Sequence, residues 1–285
     1  MWASRHRPAK PITSPGSNFR LKFDLRFKFE LSSPKEYEQL LAGMGTRERR
    51  QRDFEQREQL FIDAARELIR EDGLLNLQMA RVAERCEYAV GTLYQHFESK
   101  EDLVLELANI EISSHADMVR RAVAWNGNSR ERIFAMTVAD MIFMASKPEH
   151  FGLIQYALCE VVWRAASAAR RQRMLEAQTP LVELTVRVVA GAAAGGELNL
   201  RGQTPAEVAA AIWAQTIGMH NMAHADGAMD VFAVDNPYRL MCRHIQALLN
   251  GLEWKPYVDP ADGQALDALI DRIRNEVFHD CCAPA

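Results

Sequence analysis

The chain has no long apolar run, few cysteines and no excess of positive charge, and each shortage narrows the classes of function open to it. No stretch reaches the roughly 18 apolar residues that a membrane-spanning helix needs. The nearest, residues 182–196, is short, carries Glu183 and Arg187, and is rich in alanine and glycine, the makeup of a buried helix. The opening residues do not read as a secretory signal, because Arg5, Arg7 and Lys10 lead into Pro11, Ser14, Pro15 and Gly16 instead of an apolar segment. The five cysteines (Cys86, Cys159, Cys242, Cys281 and Cys282) are odd in number, scattered, and lack CxxC spacing. Adjacent Cys281 and Cys282 would form a strained bridge, so all five read as reduced thiols of a cytoplasmic protein. The net charge of −4 gives no support for nucleic-acid binding, which must rest on a local motif.

Catalytic signatures are missing too. There is no nucleophile elbow, no glycine-rich phosphate loop and no HExxH. His220 and His224 stand one helical turn apart, but no third ligand is near, and they read as polar groups in a core or interface. No enzyme activity, metal or cofactor is expected.

What is present is helical periodicity, preceded by an odd N-terminus. After a Pro/Ser-rich start, Phe19, Leu21, Phe23, Leu25, Phe27, Phe29 and Leu31 alternate with polar residues, the period of a half-buried strand. No second strand offers to pair with it, and an isolated strand is unstable. Three readings stand side by side: an arm pairing with its twin in a dimer, a segment docked on the body, or sequence upstream of a start at Met44. From residue 45 onward the pattern predicts an all-α chain, with helices at about 53–71, 78–86, 89–95, 99–125, 129–146, 148–169 and 174–194. Pro180 is expected to kink the last of these or to start its main part. Thr204-Pro205-Ala206-Glu207 combines an N-cap, a proline at N1 and a capping-box glutamate. Asn236-Pro237 opens another helix ending near Gly251, placed as a C′ glycine, and residues 259–279 look like a last amphipathic helix.

Residues 78–95 read as two short helices joined by about three residues. Val82 and Ala83 face the first long helix, and Leu93 and Phe97 anchor the second short helix from inside. Thr92, Tyr94, Gln95 and His96 are left toward the outside or its edge. A helix presented in this way fits the major groove, and Ser99-Lys100 opens the next helix with free N–H groups and an ammonium suited to phosphate.

Residues 61–107 resemble the N-terminal domain of TetR-type transcriptional regulators. The likeness lies in Ala64-Ala65, Leu68-Ile69 and Gly73, then Val82-Ala83-Glu84-Arg85, then Gly91-Thr92-Leu93-Tyr94-Gln95-His96-Phe97, then Ser99-Lys100-Glu101-Asp102-Leu103. The resemblance implies an N-terminal three-helix DNA-binding domain with a helix-turn-helix, followed by a helical ligand-binding and dimerisation domain. The chain then divides into a partly disordered extension (1–45), the DNA-binding domain (46–112) and the effector and dimerisation domain (113–285). It also implies a homodimeric, cytoplasmic repressor of a double-stranded operator, modulated by a small apolar effector. The DNA-facing residues would be Gln78, Ala89, Val90, Thr92, Tyr94, Gln95 and His96, with Lys100 on a phosphate. Gln95 suits an adenine edge, a pairing worth about 1–3 kcal/mol of discrimination. Arg49 and Arg50, with Arg47 and Arg52, read either as a basic arm for DNA or as a solvated charge run.

The chain departs from the family where an Ala-Gly-Val-Ser turn is usual and Cys86-Glu87-Tyr88-Ala89 stands instead. Either Glu87 takes an unfavourable positive φ or the turn changes shape. Gln78 and Met79 stand where hydroxyl residues often begin the helix, leaving Asn76 as a displaced cap. The expectation is ordinary helix-turn-helix docking with altered base preference; the alternative is a helical interaction or ligand-binding module with a degenerate DNA surface. In the second domain Met118, Met141, Met144, Phe151, Tyr156, Trp163 and Met219 read as core packing or as the lining of an effector pocket. The helices from Thr204 and Asn236 are candidates for a four-helix subunit interface, with Leu240, Ile245, Leu248 and Leu249 as an apolar face that an intramolecular role would explain equally. The long helix from Ser99 is the expected link between domains.

Overall fold

The structure, a computed structural model, describes residues 34–146 and 148–281, with side chains from Gly45 onward except those of residues 46 and 148–150. The alternating segment 19–31 and Cys282 lie outside the described residues. Among those residues there is no strand, and eleven α-helices follow in order: α1 (Pro34–Asp72), α2 (Met79–Arg85), α3 (Val90–Tyr94), α4 (Lys100–Ala124), α5 (Ser129–Ser146), α6 (Pro148–Leu158), α7 (Glu160–Ala165), α8 (Ala168–Ala194), α9 (Pro205–His224), α10 (Pro237–Gly251) and α11 (Gly263–Val277). The chain falls into two compact units, Met1–Gln59 and Leu60–Ala285.

In the first unit α1 begins far ahead of the expected residue 53. Residues 47–53 are all exposed, so this helical stretch carries no apolar stripe. It is supported by bonds one turn apart, from Gln51 Nε2 to Glu55 Oε1 at 2.8 Å and from Arg57 Nε to the Asp53 carbonyl at 3.1 Å.

The second unit has two apolar cores. The first gathers Phe61, Ala65 and Leu68 of α1, Val82 and Ala83 of α2, Leu93 of α3 and Leu103 and Leu107 of α4. The second gathers Phe134 and Val138 of α5, Ile245 and Leu249 of α10, Ile273 of α11 and Trp254. Helices α4 and α8 enter both: Leu103 and Met174 belong to the first, Val119 and Val189 to the second. Of the apolar face expected on α10, Ile245 and Leu249 are fully buried within the chain, while Leu240 and Leu248 are half-buried.

The helix starts follow capping chemistry. Ser99 Oγ accepts from the Asp102 N–H and Asn236 Oδ1 from the Arg239 N–H. Thr204 and Glu207 close a capping box, with the Thr204 N–H 2.6 Å from Glu207 Oε2. Three boundaries differ from expectation. The stretch 148–169 breaks into α6, α7 and the start of α8, because Ser167 caps α8 through the Arg170 N–H while its own N–H donates to Asp102. Helix α8 is continuous from Ala168 to Ala194 with Pro180 inside it, so Pro180 does not start it. Gly251 is the last residue of α10, and the left-handed position beyond it falls on Glu253 at φ 53°.

Candidate nucleic-acid interface and effector cavity

The turn between α2 and α3 is a Schellman motif. The Tyr88 N–H donates to the Ala83 carbonyl at 2.9 Å and the Glu87 N–H to the Glu84 carbonyl at 3.0 Å. This motif needs a left-handed residue at C′, and Glu87 occupies it at φ 59°. The turn keeps its shape, then, and Glu87 bears the strain. Tyr88 packs edge-on against Phe61, with ring centroids 5.5 Å apart. Glu87→Gly is expected to raise stability by about 0.5–1 kcal/mol, the left-handed penalty less the added freedom of glycine in the unfolded chain. Urea unfolding checks this, and no gain would show that the conformation is not strained.

Neither short helix is capped by a side chain: Gln78 and Ala89 hold the N-cap positions without one. Asn76 does not stand in, since its Nδ2 donates back to the Asp72 carbonyl at 2.8 Å. The pair is held by its seat instead. Leu93 and Phe97 are completely buried, and Ala89, Val90, Gly91, Tyr94 and Gln95 are exposed, with Thr92 half-buried. Gln78 is exposed as well. His96 is not at this face; it is buried, with its ring edge-on to Phe61 at 5.4 Å. Lys100 is half-buried, and its Nζ donates to the Leu75 carbonyl at 3.1 Å. On α2, Arg81 pairs with Asp72 at 2.5 Å and Arg85 with Glu71 at 2.7 Å, ion pairs that fasten α2 to α1. Arg49 and Arg50 are exposed on α1 in the first unit.

Behind α3 a polar buckle joins the helix-turn-helix to α8. Buried Asp102 accepts from the Glu98 N–H at 3.2 Å with one oxygen and from the Ser167 N–H at 2.7 Å with the other. Arg170 donates to the His96 carbonyl at 3.0 Å, pairs with Glu106, and lies 4.7 Å over the Phe97 ring.

Further along α8, Gln178, Leu181, Val182 and Thr185 form one wall of a cavity of about 260 Å³, closed by residues of α4, α5, α6 and α9. Of the seven expected lining residues only Met144 lines it. Phe151 is fully buried in the first core, with Tyr156 and Trp163 packed on that core. Met141 packs on the second core, Met118 touches both, and Met219 is half-buried outside the cavity. Two polar residues that sequence reasoning overlooked, His115 and Asp140, do line it. Asp140 Oδ2 lies 2.5 Å from His220 Nε2, and Oδ1 lies 3.4 Å from His115 Nε2. His224 turns away from this group, with Nδ1 2.9 Å from the His220 carbonyl oxygen.

Burial pushes the His115 imidazole below its ordinary 6.5, against the pull of Asp140. Burial alone would raise the Asp140 carboxyl, but the His220 hydrogen bond and the charges of both histidines together hold it below the ordinary range. The His115 contribution to stability is complete above pH 6.5 and is lost as pH falls through its lowered value; that of Asp140 is lost further into acid. Stability is therefore expected to fall from pH 7 to pH 5, by at most about 1.4 kcal/mol per unit from His115. Unfolding curves across this interval should be flatter for His115→Gln, and an unchanged slope would refute the assignment.

Residues 61–107 match the sequence profile of the bacterial regulatory proteins of the tetR family. The fatty acid metabolism regulator protein of Bacillus subtilis (strain 168) is 27% identical over 73 residues, which span 26% of this chain and 38% of that one. Among solved structures, a TetR/AcrR-family transcriptional regulator from Thermobifida fusca YX-ER1 superposes with a TM-score of 0.52 at 22% identity, covering 69% of this chain and 98% of that one. The Bacillus subtilis regulator FadR in complex with stearoyl-CoA superposes with a TM-score of 0.51 at 19% identity, covering 68% and 98%. Among the described residues no helix is long and apolar enough to cross a membrane. Over residues 61–107 the chain carries a helix-turn-helix domain of the kind found in the tetR family of bacterial regulatory proteins.

Proposed function

We propose that the chain is a sequence-specific DNA-binding repressor, acting as a cytoplasmic homodimer whose hold on its operator is modulated by a small effector in the cavity. The observation that carries this reading is the seat of α3. Leu93 and Phe97 fix the helix rigidly, while Ala89, Val90, Gly91, Tyr94 and Gln95 are left on its outer surface, a helix of the width the major groove accepts. Gly91 supports it independently. A Cβ at Gly91 would meet nothing within 4 Å among the described residues, so a residue that weakens the helix by about 1 kcal/mol relative to alanine has no reason there among these contacts. Space for a DNA backbone gives it one. Gln95 is assigned to a base edge, Tyr94 to phosphate, and Arg49 and Arg50 to the flanking duplex.

Selection of bound sites from random duplex DNA tests the proposal. Gln95→Ala should relax preference at one base position and cost about 1–3 kcal/mol of discrimination. Gly91→Ala should act with opposite signs, stabilising the fold while weakening operator binding. Enrichment of no sequence would favour the second reading, an interaction module. The engagement of Arg81, Arg85 and Lys100 within the chain lends that reading its specific support.

Two-fold operators require paired recognition helices about one DNA turn apart. On α8, Leu175 and Val182 lie seven residues apart on one face and are 48% and 55% exposed; on α9, Trp213 is 56% exposed. We assign this apolar patch to the second subunit. Helix α8 thus touches the partner, walls the cavity and grips the end of α3 through Arg170, a more direct lever than α4 alone. An effector that shifts α8 would change the separation of the two recognition helices.

A further inference from the structure

Among its described residues the cavity has one charged lining residue, Asp140, and no lysine or arginine. Thr137 and Asp140 are three residues apart on α5, which places them on the same face, and His115 of α4 stands beside them. Thr137 is only 2% exposed, and its Oγ1 has no hydrogen-bond partner; His115 Nε2 likewise makes no hydrogen bond, with Asp140 Oδ1 3.4 Å away. Buried polar atoms left this way each cost about 1–3 kcal/mol. Both line the cavity, whose remaining wall is mostly apolar, with Ile112, Val119, Leu158 and Ala209 among it.

Building on the effector reading above, we infer that the cavity selects a compact apolar ligand bearing one O–H or N–H donor and no negative charge, with its polar end at Thr137, His115 and Asp140. The donor meets Asp140 Oδ1, because Oδ2 is taken by His220, and the hydroxyl of Thr137 completes the site. A carboxylate or phosphate would instead meet the Asp140 carboxylate, with no lysine or arginine among the lining residues to offset the repulsion. The phosphates of an acyl-CoA therefore find no lysine or arginine among these lining residues.

Calorimetric titration of the purified full-length protein with p-cresol, p-methylbenzylamine, p-toluate and toluene tests the inference. The cresol and the amine are expected to bind at least about tenfold more tightly than the toluate, and the cresol several-fold more tightly than toluene. Thr137→Val should weaken p-cresol about tenfold and leave toluene unchanged, and Asp140→Asn should narrow the gap between p-cresol and p-toluate. Equal binding of toluate and cresol, equal binding of toluene and cresol, or binding of none of the four would overturn the inference. Binding in the expected order without any change in DNA retention would leave the site standing and count against the regulatory reading alone.

Discussion

Replacing Arg130 with leucine should cost the fold about 3–5 kcal/mol, read as a shift in the urea unfolding midpoint. Arg130 lies in the first turn of α5 and is almost wholly buried, yet among the described residues no carboxylate meets it. Its Nη1 donates to the Trp254 carbonyl at 2.5 Å, and Nη2 to Gln246 Oε1 at 2.7 Å and the Gln246 carbonyl at 3.0 Å. Burial pushes the guanidinium down to about 10, with Tyr257 pulling the other way, so it stays charged at neutral pH. Leucine would fill most of the volume but leave Trp254 O and Gln246 Oε1 buried without donors. Lysine should rescue little, since one ammonium cannot span acceptors set out for a planar fork. The corner has few substitutes for this clamp: Trp254 Nε1 donates to Ser129 Oγ at 2.8 Å, and the Lys255 N–H to the Glu197 carbonyl at 2.8 Å. A cost below about 1 kcal/mol would mean that the carbonyls find other donors or water.

The second large effect is expected at Trp213. Trp213→Glu places a carboxylate in the apolar patch assigned to the partner subunit, where it would be desolvated without a cation. Because the side chain is more than half exposed in the single chain, the protomer should keep its fold. Sedimentation should then show a monomer, and operator affinity should drop by about 10²–10⁴-fold, the range lost when two linked contacts become independent. Circular dichroism confirms folding, and a variant that remains dimeric would move the subunit interface elsewhere. Ligand affinity is a separate readout, since Trp213 also borders the cavity.

The helix-turn-helix was legible in residues because its chemistry is local. Leu93 and Phe97 announce a buried seat, and Glu87 stands where a left-handed residue is required. The early part of α1 was not, because periodicity is visible only where a helix buries one face, and residues 47–53 bury none. Likewise the break before α8 depends on Asp102, 65 residues away from Ser167 in the chain, and no local pattern carries it. The cavity escaped for a different reason. Bulky methionines and aromatics fill space, so most of them mark packing, although Met136, Met144 and Trp213 border the void. The void forms where side chains are short, beside Thr137, Thr185, Ala206, Ala209 and Ala210. A search for adaptable large residues therefore located mostly the packing around the cavity, and of the seven residues named for the lining Met144 alone borders it.

In the proposed function, the buckle of Asp102 and Arg170 has a consequence for how the protein would read ligand concentration. A lever shared by two sites is reciprocal, so whatever factor the ligand takes from DNA affinity, bound DNA takes from ligand affinity. Protein parked on its operator would thus be the less sensitive population, and free protein would collect ligand first. The threshold for switching then depends on how many operators and how much regulator a cell holds, as well as on the chemistry of the cavity.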